Sequence, residues 1–130
     1  MAKIKFFNAS TFNKNVKCTI HKSGKIGFSS GAIKRMSLDK LYGVKIGTNE
    51  DDTEENDLYM ACIMDEDKSA FKLIKAGSYY YINAKPLLEE LKVDYRNEKI
   101  TFIYDIIEVE IEDQKIFKLI KREVKKGKKE

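Results

Sequence analysis

Few residues of this chain are able to do chemistry. His21 is the only histidine among 130 residues, and Cys18 and Cys62 are the only cysteines. A lone imidazole supplies half of an acid–base or nucleophile–base pair, and such catalysis needs both halves. Two cysteines far apart in sequence make neither a disulfide framework nor a zinc-ligand pattern. They read as free, half-buried thiols in a reducing compartment. There is no glycine-rich phosphate loop, no nucleophile elbow and no HExxH. Carboxylates run through Asn49–Asp57 and through Asp65, Glu66 and Asp67, but without the central glycine and terminal glutamate of an EF-hand loop. They read as solvated acidic loops, and Glu108, Glu110 and Glu112 as the water-facing side of a strand. The residues therefore predict no catalytic site, no metal site and no cofactor.

What remains is charge. The formal net charge of +4 conceals three blocks. Residues 1–47 carry ten basic residues against one acid, Asp39, for a net of +9. Residues 48–67 carry nine acids and no base, and residues 68–130 return a net of +4. A dense basic block is the electrostatic footprint of a polyanion partner. Within it Lys17, His21, Lys22, Lys25, Lys34 and Arg35 are the candidate nucleic-acid-binding residues, with His21 beside Lys22 read as a surface or phosphate-contacting residue rather than a base. Lysine outnumbers arginine heavily, and arginine is the usual reader of guanine edges. This balance favours backbone contact over base readout. The acidic block is expected to compete for the basic face in cis, weakening non-specific binding.

These residues must be positioned mostly by strands. Alternation predicts strands over Lys3–Asn8, Val16–His21, Ile26–Phe28, Tyr42–Thr48, Leu58–Met64, Ala70–Lys75, Tyr79–Ile82, Lys99–Ile111 and Lys115–Lys121. Lys22-Ser23-Gly24-Lys25 and Ala76-Gly77-Ser78 are turns. Ser29 or Ser30 caps a helix of about two turns. Asn83 caps a second, with Pro86 in its first turn and Leu87, Leu88 and Leu91 on its apolar face. A change of parity after Ile106 predicts a bulge near Ile106–Ile107. Gly43 and Gly47 mark a bulge or a close approach. Gly24 matches Gly77, and strand–turn–strand–helix–strand–strand occurs twice. The chain thus reads as a mainly β, α+β protein of about nine short strands and two short helices. It forms one domain over residues 1–122, with pseudo-repeats over 16–64 and 70–122 and a basic, disordered tail over 123–130. No apolar run approaches the ~20 residues of a membrane span, and the first residues lack a signal-peptide pattern. A cytoplasmic protein is expected, with a homodimer as one possible state.

The segment from Gly24-Lys25-Ile26 through Ser29, Lys34-Arg35 and Leu38 to Val44-Lys45-Ile46 resembles the AbrB/MazE swapped-hairpin family of prokaryotic DNA binders. Ser29 stands where that family has proline, and Leu41-Tyr42-Gly43 stands where it has Gly-Asp. The resemblance implies two interlocking hairpin–helix units and duplex DNA held through Lys22, Lys25, Lys34 and Arg35. The interleaving of basic and aromatic residues also looks like the Whirly and coactivator type of single-stranded DNA binder. There Phe6, Phe7, Phe12 and Phe28, with Tyr79, Tyr80 and Tyr81, would offer stacking faces, although only one parity of three consecutive strand tyrosines can be exposed. Duplex binding by a small regulator is the leading expectation, single-strand binding the second. A third is a protein-interaction module of antitoxin-like or adaptor type.

Overall fold

Alternating apolar and polar residues drive most of the chain into strands, and glycine-bearing turns fold these into hairpins. The computed structural model describes Ile4, residues 16–52 and residues 56–125. Its elements are β1 (Lys17–Ile20), β2 (Lys25–Phe28), α1 (Ser30–Met36), a single 3-10 turn (Leu38–Lys40), β3 (Gly43–Gly47), β4 (Leu58–Ile63), β5 (Phe71–Lys72), β6 (Ile74–Ala76), β7 (Tyr79–Asn83), α2 (Lys85–Glu90), β8 (Ile100–Ile111) and β9 (Gln114–Lys125). The mainly β, α+β architecture expected from the sequence is present. The strand expected over Lys3–Asn8 lies outside the described residues, Ile4 excepted, as do Phe6, Phe7 and Phe12.

All nine strands form one antiparallel sheet in the order β5-β3-β4-β9-β8-β1-β2-β7-β6. The two edge strands are consecutive in the chain, separated only by Leu73. β5 pairs with β3 and β6 pairs with β7, so one bent stretch, Phe71–Ala76, bonds to both ends of the sheet and brings them together. The sequence predicts one strand over Ala70–Lys75; it is broken at Leu73, whose N–H turns aside to donate to the Tyr42 carbonyl at 3.0 Å. Gly43 makes the seam possible, because a Cβ there would overlap the Phe71 carbonyl oxygen. Gly47 has open space around it.

The strands before and after Met64 pair in equivalent ways. Exchanging β1, β2, β3 and β4 for β6, β7, β8 and β9 leaves the β2–β7 and β4–β9 pairs in place. It converts the β1–β8 pair into β6–β3, the position that the Phe71–Ala76 stretch fills. The halves therefore interlock through equivalent strand pairs.

One parity of each strand faces inward. Cys18, Ile20, Ile26, Phe28, Val44, Leu58, Met60, Tyr80, Ile82, Phe102, Tyr104, Ile106, Phe117 and Leu119 form the core. Ala32, Met36 and Leu38 join it from the α1 side, and Ala84 and Leu88 from the α2 side. Ser29 caps α1: its hydroxyl accepts from the Ala32 N–H at 3.2 Å and from the Lys17 N–H at 3.1 Å. The Ser29 N–H donates to the Lys17 carbonyl at 2.9 Å, a bond proline could not make.

Three expectations are corrected. β8 and β9 pair without interruption from Ile100–Lys125 to Ile111–Gln114, so there is no bulge at Ile106–Ile107. Apolar residues instead pass from the inner face to the outer one as the ribbon leaves the body, leaving Ile107 and Ile111 exposed. Asn83 ends β7, and the N-cap of α2 is Ala84, whose N–H donates to the Gly24 carbonyl while its side chain offers no cap. The basic tail begins later than residue 123, because β9 continues through Lys125; residues 126–130 lie outside the described set.

Candidate nucleic-acid interface

β1, β2 and β7 are neighbours, and their registers determine which side chains share the outer face. Thr19 lies opposite Gly27, and Gly27 opposite Tyr81. The next outward positions are His21 and Lys25, joined where the His21 N–H donates to the Lys25 carbonyl at 2.8 Å. The inward positions between them, Ile20, Ile26, Phe28, Tyr80 and Ile82, are core. Alternation thus gathers His21, Lys25, Tyr79 and Tyr81 on one surface from three strands.

Their side chains are in contact. The Tyr79 hydroxyl lies 2.6 Å from His21 Nε2. The Tyr79 and Tyr81 rings stack with centroids 6.0 Å apart and planes inclined by 27°. The Lys25 ammonium sits 4.6 Å from the centre of the Tyr81 ring, within cation–π range. Tyr79 remains 37% exposed, whereas Tyr80 on the other parity is 8% exposed. Partial burial, then the nearby Lys25 charge, lowers the His21 pKa, so the ring is held neutral. Burial raises the Tyr79 pKa and keeps the phenol protonated.

The six residues singled out from the sequence do not form one site. Lys17, His21 and Lys25 lie on the outer parity of β1 and β2. Lys22, in the turn, is bonded to Glu98 at 2.8 Å. Lys34 and Arg35 occupy the last turn of α1, where they complement its carbonyl end. Arg35 reaches Glu108 at 3.4 Å, and the same carboxylate holds Lys115 at 3.3 Å. The open cleft of about 260 Å³ between them, lined by Arg35, Glu108, Val109, Glu110 and Lys115, carries both signs of charge. Of the aromatic candidates, Phe28 and Tyr80 are core and Tyr79 and Tyr81 are outward.

One signal in the sequence identifies this surface. Residues 16–38 contain four lysines and one arginine with no acid, and residues 68–88 contain four lysines with no acid. These stretches supply β1, β2, β6 and β7, which are consecutive in the sheet, so these four strands carry no carboxylate of their own; the acids at their border are Asp105, opposite Lys17 on β8, and Glu98, bonded to Lys22. Net charge over the long span 68–130 hides this by averaging. At the end of the acidic stretch between β3 and β4, Asp57 bonds to Lys118 of β9 at 3.5 Å. Among the described residues no group of three or more His, Cys, Asp or Glu is placed to hold a metal, and no helix is long and apolar enough to cross a membrane. Comparison with protein-family models, with curated proteins and with solved structures finds no match for the chain.

Proposed function

We propose that the protein binds single-stranded nucleic acid on the outer face of β1, β2 and β7. The observation that carries this reading is the exposed Tyr79–Tyr81 stack, with Lys25 against it, on strands that carry no carboxylate of their own. Base–aromatic stacking contributes about 1–3 kcal/mol per base and tolerates any sequence, because every base has a π-face. Lysines beside the rings neutralise phosphates and release counter-ions. A duplex keeps its bases stacked on one another and out of reach of the tyrosines. The duplex reading relies on the hairpin and α1, and of its residues Lys22 is already engaged by Glu98 and Arg35 by Glu108.

Fluorescence anisotropy with a labelled oligo-dT, a labelled oligo-U and a labelled duplex, across a salt series, tests the proposal. The single strands should bind more tightly than the duplex, with affinity falling as salt rises. Tyr79→Ala with Tyr81→Ala should cost tenfold or more, since stacking at this strength corresponds to at least about 1.4 kcal/mol. Lys34→Glu with Arg35→Glu should cost less. Preference for duplex, or no binding at low salt, would sink the reading.

A further inference from the structure

Gly27 lies in the middle of β2, where glycine ordinarily weakens a strand. Its backbone does not require glycine, because its φ lies outside the left-handed region. The space above it does. A Cβ on Gly27 would overlap the hydroxyl and ring carbon of Tyr79 and would come within 2.8 Å of His21 Nε2. Tyr79 starts on β7, crosses β2 over Gly27 and meets His21 at the end of β1.

We infer that Gly27 and His21 are the positioning residues of the aromatic surface: Gly27 clears the space for Tyr79, and His21 anchors its hydroxyl, so the ring is fixed beside Tyr81 before a base arrives. Three strands thus hold one half-exposed ring in place without adding to the core. Preorganisation of this kind strengthens binding by removing the cost of immobilising the side chain on contact. The inference rests on the single-strand reading of this face and names the residues that set its geometry.

His21 is the only histidine, so its ring protons give one NMR titration without assignment. The test measures that titration and oligo-dT affinity for Gly27→Ala in the wild-type and in the Tyr79→Ala backgrounds. In the wild-type background Gly27→Ala should move the imidazole titration up toward the ordinary histidine value. It should also weaken oligo-dT binding about tenfold with the salt slope unchanged, because no charge has been altered. In the Tyr79→Ala background the same substitution should leave oligo-dT affinity unchanged, while the titration still responds to a methyl group placed 2.8 Å from His21 Nε2. A titration unmoved by Gly27→Ala in the wild-type background, or equal losses of oligo-dT affinity in both backgrounds, would overturn the inference. If Gly27→Ala does not fold, His21→Gln and Tyr79→Phe interrogate the same contact: each should weaken binding, and the pair no more than either alone, whereas additive losses would refute the anchor. Coupled titration shifts in a protein that binds no oligo-dT would uphold the positioning role and reject the nucleic-acid reading.

Discussion

The His21 imidazole is a proton-sensitive contact at the edge of the aromatic surface. Its lowered pKa means that the free protein favours the neutral ring. The folded state therefore binds fewer protons there than the unfolded chain. This contribution to stability is complete above the ordinary histidine pKa of about 6.5 and declines as pH falls through it. The protonated ring still reaches the Tyr79 hydroxyl, now as the donor, and its charge attracts a nearby polyanion, so oligo-dT affinity should increase between pH 7.5 and pH 5.5, and His21→Gln should flatten that dependence. Cys18 gives a second test. Burial, reinforced by Asp105, pushes its thiol to about 12, while Cys62 is only half-buried. Thiol-reactive reagents should label Cys62 first and leave Cys18 unmodified until the protein unfolds. Residue chemistry was legible in the sequence only where it is local. Lys22 and Arg35 are recognisable as cations, but their partners Glu98 and Glu108 lie more than seventy positions away, and only the fold brings them together.

The elements follow rules that the sequence states openly, apart from their ends. Strand parity fixes most of the core, and Ser29 is the one of the two expected serines that caps α1. Ser29→Ala should destabilise the protein by about 1 kcal/mol in chemical denaturation, the usual loss for a serine cap. Ser29→Pro should cost more, because the bond to the Lys17 carbonyl goes as well. The β8–β9 turn holds Glu112 and Asp113 at φ 51° and 64°, a region that glycine and asparagine occupy more easily. Replacing the pair by Asn-Gly should raise stability by about 1 kcal/mol and the melting temperature with it. Ile106→Ala should cost roughly 2–5 kcal/mol, as a buried truncation does, and Ile107→Ala far less. The parity change after Ile106 misleads because a bulge and a change of covering produce the same pattern. Which of the two occurs depends on how far the neighbouring strands extend, and β1 and β4 stop short of the ribbon's end.

At the scale of the molecule, charge and symmetry diverge. The halves share a pairing plan, yet four adjacent strands of the sheet carry no carboxylate of their own while acids collect in the segment between β3 and β4. Replacing Glu50, Asp51 and Asp52 by asparagine should raise affinity for single strands at low salt by a modest factor. The gain should vanish near 0.15 M salt, where the screening length is about 8 Å. An unchanged low-salt affinity would mean that this segment exerts no field on the tyrosine face.

The seam and the interlocked pairing have one more consequence. Every ladder between the two halves is made by hydrogen bonds, while the peptide connection between them runs through an exposed stretch that begins at Met64. Cutting that connection removes no rung of the sheet. A protease nick there should therefore leave the protein migrating as a single particle, and two separately made polypeptides divided at that point should reconstitute it on mixing.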